Sequence, residues 1–135
     1  MNVNDKDVVK ILMENKKICV YGLGTDEEKP NVSVPVYIRS QGWDVVGVHP
    51  KAHSTAEFKT YKTLKEVPAE YRKFVNVFRA SDKIPQVVEE VLEAGGTEVL
   101  WLQLGITNAE AEKKAEDAGL KVISDRCLII EHQKA

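Results

Sequence analysis

Short apolar segments alternate with amphipathic helical patterns along almost the whole chain. Apolar segments such as 18–20 are rich in β-branched residues and do not alternate with polar residues, which is typical of strands buried on both faces. Between the segments, apolar residues recur at helical spacing, most clearly at Ile84, Val87, Val88 and Val91. Strands that alternate with helices in this way form parallel sheets through right-handed crossovers. The pattern therefore predicts an α/β protein.

The boundaries of the predicted elements follow from turn-forming residues and helix caps. Strands are predicted at 17–21, 43–48, within 71–78, at 98–102 and at 120–123, and the less regular segment 52–70 is expected to add a short strand at Tyr61 and a helical turn from Thr63. Helix caps are expected at Asp5, at Ser81, and at Thr107 or Asn108, and a further helix is expected to begin near Ser33 with Pro35 in its first turn. These elements predict a Rossmann-like, doubly wound sheet of about five mainly parallel strands, with three α/β/α layers, in a single domain over 1–135.

Composition and charge argue against several classes of protein. The 135 residues are enough for a hydrophobic core. The 19 Lys and Arg against 21 Asp and Glu give a formal charge of −2, which argues against a general nucleic-acid-binding surface. No apolar run reaches the roughly 18 residues of a membrane span, and charged residues occupy the start of the chain where a secretory signal would be apolar. Two cysteines indicate reduced thiols. We therefore expect a cytoplasmic protein with no nucleic-acid or membrane partner.

The first candidate site is the loop after the first predicted strand, because ligands of doubly wound sheets bind beyond the carboxyl ends of the strands. Gly22, Leu23 and Gly24 stand there, where glycine lets backbone donors approach a phosphate. The dinucleotide-binding fingerprint is incomplete, since Glu27 occupies the third glycine position. This loop alone therefore leaves two interpretations open, a nucleotide-binding loop and an ordinary tight turn.

The second loop distinguishes between nucleotides. An NAD site would have Asp or Glu at the end of the second strand to hold the ribose hydroxyls, whereas this chain has His49, Pro50 and Lys51. A neutral or cationic group there favours an adenine nucleotide with a phosphorylated ribose. No Cys, Asp or second His completes a metal-ligand set around His49 or His53, so we predict no metal site.

The loops after the later strands contain residues with different expected roles. Phe78 and Trp101 are most simply core aromatics, whereas Arg79 and Gln103 lie just beyond buried strands and are better candidates for ligand contacts. The sequence contains neither a Gly-x-Ser-x-Gly nucleophile motif nor a Walker-type phosphate loop. It therefore gives no catalytic constellation.

Six short segments at the predicted strand ends form one pattern: Val-Tyr-Gly-Leu at 20–23, Lys-Pro at 29–30, Val-His-Pro-Lys at 48–51, Val-Phe-Arg at 77–79, Trp-Leu-Gln-Leu-Gly at 101–105 and Ser-Asp-Arg-Cys at 124–127. Together they resemble the stand-alone coenzyme A (CoA) binding domain proteins, which are related to the CoA-binding domain of the succinyl-CoA synthetase alpha subunit. The resemblance spans nearly the whole chain.

This resemblance implies CoA, or an acyl-CoA, bound along the carboxyl edge of the sheet. The backbone of 22–25 and the start of the next helix would meet the pyrophosphate, and Lys51 would meet the ribose phosphate. Residues 78–80 would border the adenine or its ribose, and Gln103 would lie toward the pantetheine arm. The implied CoA-binding residues are Gly22, Leu23, Gly24, Thr25, Lys29, Asn31, Val34, His49, Pro50, Lys51, Phe78, Arg79, Ala80 and Gln103.

The chain departs from the family pattern at three of these positions. The family often has Ser at the positions of Gly24 and Asn31 and Asn at that of His49. Because Gly24 lacks a hydroxyl that could bond a phosphate oxygen, we expect either a lower affinity or a compensating contact from Thr25.

Four functions stay open from the sequence. The resemblance favours a CoA-binding module that acts as a carrier, a sensor or the partner of a CoA enzyme. A second function is thiol–disulfide chemistry on CoA through Cys127, although a partly buried and unreactive thiol is the simpler interpretation. The Gly-x-Gly loop alone would suggest an NAD(P)-binding regulatory or oxidoreductase domain. A purely structural interaction domain is favoured only if no nucleotide binds.

Overall fold

The computed structural model describes residues 4–52 and 58–135, which form an α/β structure with a six-stranded sheet. The sheet has the order β3-β2-β1-β4-β5-β6, and all five strand pairs are parallel. The strands are β1 (Lys17–Tyr21), β2 (Asp44–Val48), β3 (Lys59–Tyr61), β4 (Phe74–Val77), β5 (Val99–Leu102) and β6 (Lys121–Ile123). The helices are α1 (Asp5–Glu14), α2 (Pro30–Ser40), α3 (Ala69–Arg72), α4 (Ile84–Ala94), α5 (Ala109–Asp117) and α6 (Leu128–Lys134), with 3₁₀ turns at Leu64–Glu66 and Ser81–Lys83.

The sheet separates two hydrophobic clusters, one on each face. Apolar residues of α1, α2 and α6 pack on one face, and those of α4 and α5 pack on the other. Strand β1 supplies both clusters, because its alternate residues point to opposite faces. The predicted Rossmann-like fold with helices on both faces is confirmed. The strand order proceeds outward from β1 to β3 and then returns to β4, so the winding reverses between β1 and β4.

The start of α2 differs from the prediction. The helix begins at Pro30, with Lys29 as its N-cap, and not near Ser33. Pro30 takes the first helical position, where a missing N–H costs nothing. Pro35, which was expected in that role, lies inside the helix. Both Pro30 and Pro35 suit the first turn of a helix, so the sequence pattern alone did not identify Pro30, which directly follows the loop, as the first residue of α2.

Two predicted helix caps also differ from the structure. The cap of α1 is Asn4, whose Oδ1 accepts a hydrogen bond from the Asp7 amide at 2.9 Å, and not Asp5. Ser81 begins a 3₁₀ turn without capping α4, because its hydroxyl oxygen accepts a bond from the Thr107 amide at 3.1 Å.

Other local predictions are confirmed, and some elements were not foreseen. Asn108 caps α5 by accepting from the Ala111 amide at 3.1 Å, and the short strand at Tyr61 and the turn after Thr63 are present. The strand count is six, since this short strand pairs with β2. Helices α3 and α6 were not predicted. Within the part of the chain that the structure describes, no helix has the length and apolar character needed to cross a membrane.

Candidate functional site

Two neighbouring cavities open beyond the carboxyl ends of the central strands, next to the point where the winding reverses. The apolar cavity has a volume of about 460 Å³, and the polar cavity has about 260 Å³. Lys29 and Asn31 line both of them, so the cavities adjoin at the start of α2. We call the two together the carboxyl-edge site. The lining of the apolar cavity is Lys29, Pro30, Asn31, Phe78, Arg79, Ala80, Gln103, Leu104, Ile106 and Cys127, and that of the polar cavity is Gly24, Thr25, Asp26, Lys29, Asn31, His49 and Lys51.

Gly22 is the first residue after β1, and its backbone packs closely against Phe78, the first residue after β4. Its amide donates to the Val48 carbonyl at 2.8 Å, and the Phe78 amide donates to the Tyr21 carbonyl at 2.8 Å. Gly22 has φ +93°, and a Cβ at this position would lie 2.5 Å from the Phe78 carbonyl oxygen. Both the positive φ and this short distance exclude a side chain at position 22. The loop and the end of β4 are therefore held in direct backbone contact beside the site.

Asn31 fixes the other end of the loop to the first turn of α2. Its Nδ2 donates to the Gly22 carbonyl at 3.2 Å, and its own carbonyl accepts from the Gly24 amide at 3.3 Å. In a regular helix the amide four residues later would donate to this carbonyl, but that residue is Pro35, which has no N–H. The interior proline therefore leaves the Asn31 carbonyl available to the loop.

Gly24 is needed because the Asn31 side chain fills the space beside it. A Cβ at position 24 would lie 2.5 Å from Asn31 Oδ1 and 2.6 Å from Nδ2. These are distances that real Cβ contacts do not reach, so a larger residue would have to displace the carboxamide. The Gly24 backbone therefore lies directly against the Asn31 side chain in the first turn of α2.

The polar cavity combines a helix start with exposed cations. Lys29 and Lys51 are exposed at its rim, and the first turn of α2 contains no acidic residue. The Lys51 amide donates to His49 Nδ1 at 3.2 Å, which holds the second loop in place. Asp26 also lines the cavity, and its Oδ1 accepts from the Glu28 amide at 3.0 Å. Lysines beside the positive end of a helix dipole form a site suited to an anion such as a phosphate.

The most buried polar side chain in the lining of the apolar cavity is that of Gln103. This residue is 4% exposed, and its Oε1 accepts a hydrogen bond from the Leu128 amide at 3.4 Å. The surrounding wall is formed largely by carbon atoms of Phe78, Leu104 and Ile106. Leu104 is 61% exposed, which is unusual for a large apolar side chain, so the cavity opens onto an apolar rim.

Cys127 lines the apolar cavity, whereas Cys19 lies inside the sheet. Both cysteines are free thiols, and Cys127 is half-buried. Cys19 is fully buried in β1, and this burial raises the pKa of its thiol far above the ordinary value. Of the two thiols, only that of Cys127 is therefore positioned to meet a ligand in the site.

The structure brings most of the predicted CoA-binding residues together. Ten of the fourteen line one of the two cavities: Gly24, Thr25, Lys29, Asn31, His49, Lys51, Phe78, Arg79, Ala80 and Gln103.

The other four predicted residues do not line either cavity. Gly22 and Pro50 lie in the loops that form the site without lining it. Leu23 is 0% exposed and packs over Gly47 of β2, where a Cβ would lie 2.4 Å from its side chain. Val34 is 2% exposed in the hydrophobic cluster beneath α2. The side chains of Leu23 and Val34 thus support the site from the core, and the binding role of all fourteen residues stays a prediction.

Several residues at the site were not in the predicted set. Leu104 and Cys127 belong to segments that carry the family resemblance, so their positions after β5 and β6 were a usable signal. Pro30 was missed with the true start of α2. Ile106 had no distinguishing pattern, because it stands alone in a loop. The residues that the structure describes include no group of three or more His, Cys, Asp or Glu that could hold a metal ion, and His53 lies outside them.

The comparisons with known proteins agree with this architecture. The family model described as CoA binding domain matches residues 16–133. The YneT protein of Bacillus subtilis is 31% identical over 131 residues, covering 97% of this chain and 96% of its own. The solved structure of cell-free ID.343 from Thermus thermophilus is 32% identical, with a TM-score of 0.88 and 98% of each chain covered.

A larger enzyme contains the same fold. The apo acetyl-coenzyme A synthetase 1 of Candidatus Korarchaeum cryptofilum matches with a TM-score of 0.68 and 23% identity. The match covers 84% of this chain and 27% of the synthetase, and at this identity it concerns the fold alone. The family match over most of the chain and the two full-length relatives establish the classification: the chain belongs to the CoA binding domain family.

Proposed function

We propose that the protein binds CoA in the carboxyl-edge site and serves as a carrier, a sensor or the partner of a CoA-using enzyme in the cytoplasm. The observation that carries this proposal is the pair of adjoining cavities with different linings. CoA has an anionic end, with about four negative charges on its three phosphates, joined to an uncharged pantetheine arm. The polar cavity suits the first part and the apolar cavity suits the second.

The anionic end has several groups to meet in the polar cavity. The pyrophosphate would lie over the amides of the first loop and the start of α2, next to Lys29. The phosphate on the ribose would reach Lys51, in the loop where an NAD site would have an acidic residue. Thr25 lines the same cavity and offers the hydroxyl that Gly24 lacks.

The pantetheine arm would run from the shared wall at Lys29 and Asn31 into the apolar cavity. Gln103 would face the arm there, and Phe78 and Arg79 at the same cavity would border the adenine or its ribose, which are uncharged apart from the ribose phosphate. Burial of the exposed Leu104 side chain by the ligand adds a hydrophobic contribution to binding.

Calorimetric titration with CoA, dephospho-CoA and NAD tests this function. We expect CoA to bind most tightly and dephospho-CoA more weakly, because it lacks the phosphate that Lys51 would meet. Absent binding of CoA, or equal binding of all three compounds, would refute the proposal. Preferential binding of NAD would favour a dinucleotide-binding domain.

Thiol exchange is a second candidate, favoured by the position of Cys127 on the wall of the apolar cavity. In this reaction the Cys127 thiolate attacks a sulfur of a CoA disulfide. The disulfide bond breaks, a new S–S bond joins Cys127 to CoA, and the released thiolate takes up a proton. Intact-mass measurement after incubation with CoA disulfide tests this step. We expect an adduct of CoA mass that is lost in Cys127→Ser, and an adduct that persists in the variant would exclude this cysteine.

A further inference from the structure

Gln103 presents a hydrogen-bond donor to the apolar cavity. The Leu128 amide can only donate, so its bond at 3.4 Å identifies the atom it meets as the carboxamide oxygen, Oε1. The other atom of the carboxamide, Nε2, donates to no acceptor within residues 4–52 and 58–135. The side chain lines the cavity and is more than nine-tenths buried. A ligand in the cavity therefore meets an amide N–H that has no acceptor among the described residues.

The wall around this donor is apolar. Phe78, Ala80, Leu104, Ile106 and Cys127 line the same cavity. The cations of the cavity, Lys29 and Arg79, are exposed, whereas Gln103 is buried. Asn31 lines the cavity too, but its Nδ2 already donates to the Gly22 carbonyl. The buried, unpaired amide donor of Gln103 suits a neutral carbonyl attached to an apolar group, because an unpaired donor is costly once water is excluded.

We propose that the apolar cavity holds the acyl group of an acyl-CoA thioester, with Gln103 Nε2 donating a hydrogen bond to the thioester carbonyl oxygen. This inference rests on the proposed function, since it places the pantetheine arm in the same cavity. Free CoA carries a thiol where an acyl-CoA carries the carbonyl. A thiol is a weak acceptor, so free CoA leaves the Gln103 donor poorly paired.

The proposal predicts a selectivity with two separable parts. The carbonyl should improve affinity by about fivefold, the worth of one net hydrogen bond. The acyl chain should improve it by about fourfold for each methylene that it buries against the apolar wall. The chain should be only a few carbons long, because the cavity of about 460 Å³ must also take the end of the pantetheine arm and, beside Phe78 and Arg79, part of the adenine or its ribose.

Calorimetric titrations of the full chain with CoA, propionyl-CoA and S-propyl-CoA measure the contributions of the carbonyl and of the acyl chain separately. S-propyl-CoA is a thioether with the same chain length as propionyl-CoA but no carbonyl. We expect propionyl-CoA to bind more tightly than S-propyl-CoA, and S-propyl-CoA more tightly than CoA. Equal affinities for the three would overturn the inference and leave the proposed function standing. No binding of CoA itself would overturn both.

The variant Gln103→Glu tests whether Gln103 makes the hydrogen bond to the thioester carbonyl. The carboxylate keeps an oxygen for the Leu128 amide and replaces the Nε2 donor by an acceptor. We expect this variant to lose the preference for propionyl-CoA over S-propyl-CoA and to keep its affinity for 3′,5′-ADP, which lacks the arm. Gln86→Glu on the exposed face of α4 is the matched control for the added charge. An equal loss for propionyl-CoA and S-propyl-CoA in Gln103→Glu would contradict the proposal, because the donor would then meet a carbonyl of the pantetheine arm.

Discussion

Gly24 and Asn31, which both line the polar cavity, are sterically coupled. A Cβ on residue 24 would lie 2.5 Å from Asn31 Oδ1, and the Asn31 carbonyl accepts the Gly24 amide at 3.3 Å. Asn31 also donates from Nδ2 to the Gly22 carbonyl at 3.2 Å. The shape of the loop and the first turn of α2 therefore depend on each other, and neither residue can be replaced without consequences for its partner.

The first prediction concerns this pair. Gly24→Ser should lower the free energy of unfolding by about 1–2 kcal/mol, because its Cβ must displace a hydrogen-bonded carboxamide. Asn31→Ser should cost about 1 kcal/mol through loss of the bond to Gly22. In the double variant the clash is gone, so its cost should be smaller than the sum of the single costs. Urea unfolding of the four proteins measures the difference, and strict additivity would show that the two residues are independent.

The second prediction separates the ribose phosphate from the rest of CoA. Lys51→Ala should lower the affinity for CoA by about tenfold, which corresponds to the loss of one charge-assisted hydrogen bond. The affinity for dephospho-CoA should change much less. Lys121→Ala is the matched control, since Lys121 is exposed at the amino end of β6 and its loss changes the net charge equally. Calorimetry in low and high salt measures both effects. An equal loss of affinity for CoA and dephospho-CoA would show that Lys51 does not contact the ribose phosphate.

The third prediction concerns the two thiols. Cys127 is half-buried at the cavity, whereas Cys19 is fully buried with a raised thiol pKa. A thiol-specific reagent should therefore label one cysteine quickly in the folded protein and the second only on unfolding. CoA should slow the fast reaction, and Cys127→Ser should remove it. Fast labelling that survives Cys127→Ser would contradict the assignment.

The fourth prediction concerns stability at high pH. Burial, together with the hydrogen bond that Tyr21 donates to Glu90, raises the pKa of the Tyr21 phenol. The unfolded chain loses this proton near the ordinary phenol pKa of about 10, while the folded protein keeps it. The stabilisation is therefore fully present below about pH 10 and falls by up to about 1.4 kcal/mol per pH unit above it.

Tyr21→Phe tests this dependence. The variant should lose about 1 kcal/mol of stability at neutral pH, because Glu90 loses the Tyr21 donor while it keeps that of the Leu64 amide at 3.1 Å. Its stability should then fall less steeply between about pH 10 and 11 than that of the wild type. Part of the fall should persist, because burial raises the pKa of Cys19 in the same direction. Parallel curves for the two proteins would show that Tyr21 does not titrate differently on folding.

The general architecture was predictable because it depends on periodicity, while the exact helix starts depend on tertiary contacts. The apolar segments and the spacing of Val87, Val88 and Val91 were enough to predict parallel strands between helices. Ser81 looked like a cap, yet its hydroxyl bonds the Thr107 amide across a neighbouring loop. Such a contact joins residues 26 positions apart, which local pattern cannot reveal.

The candidate site was likewise predictable from the sequence only in part. Strand ends located the loops, and the family resemblance selected residues within them. Neither distinguished side chains that line a cavity from those beneath it, so Leu23 and Val34 were grouped with Lys29 and Lys51. The coupling of Gly24 to Asn31 was also invisible, because it depends on the true start of α2 and on a proline four residues after Asn31.

Amide chemical shifts recorded by NMR during a titration with CoA test the location of the site most directly. We predict that the largest changes lie in the linings of both cavities, at Gly24, Asn31, Lys51 and Gln103, while Asn15 and Lys121 at the amino edge of the sheet do not move. Unchanged spectra, or changes centred on the amino edge, would contradict binding of CoA at the carboxyl-edge site.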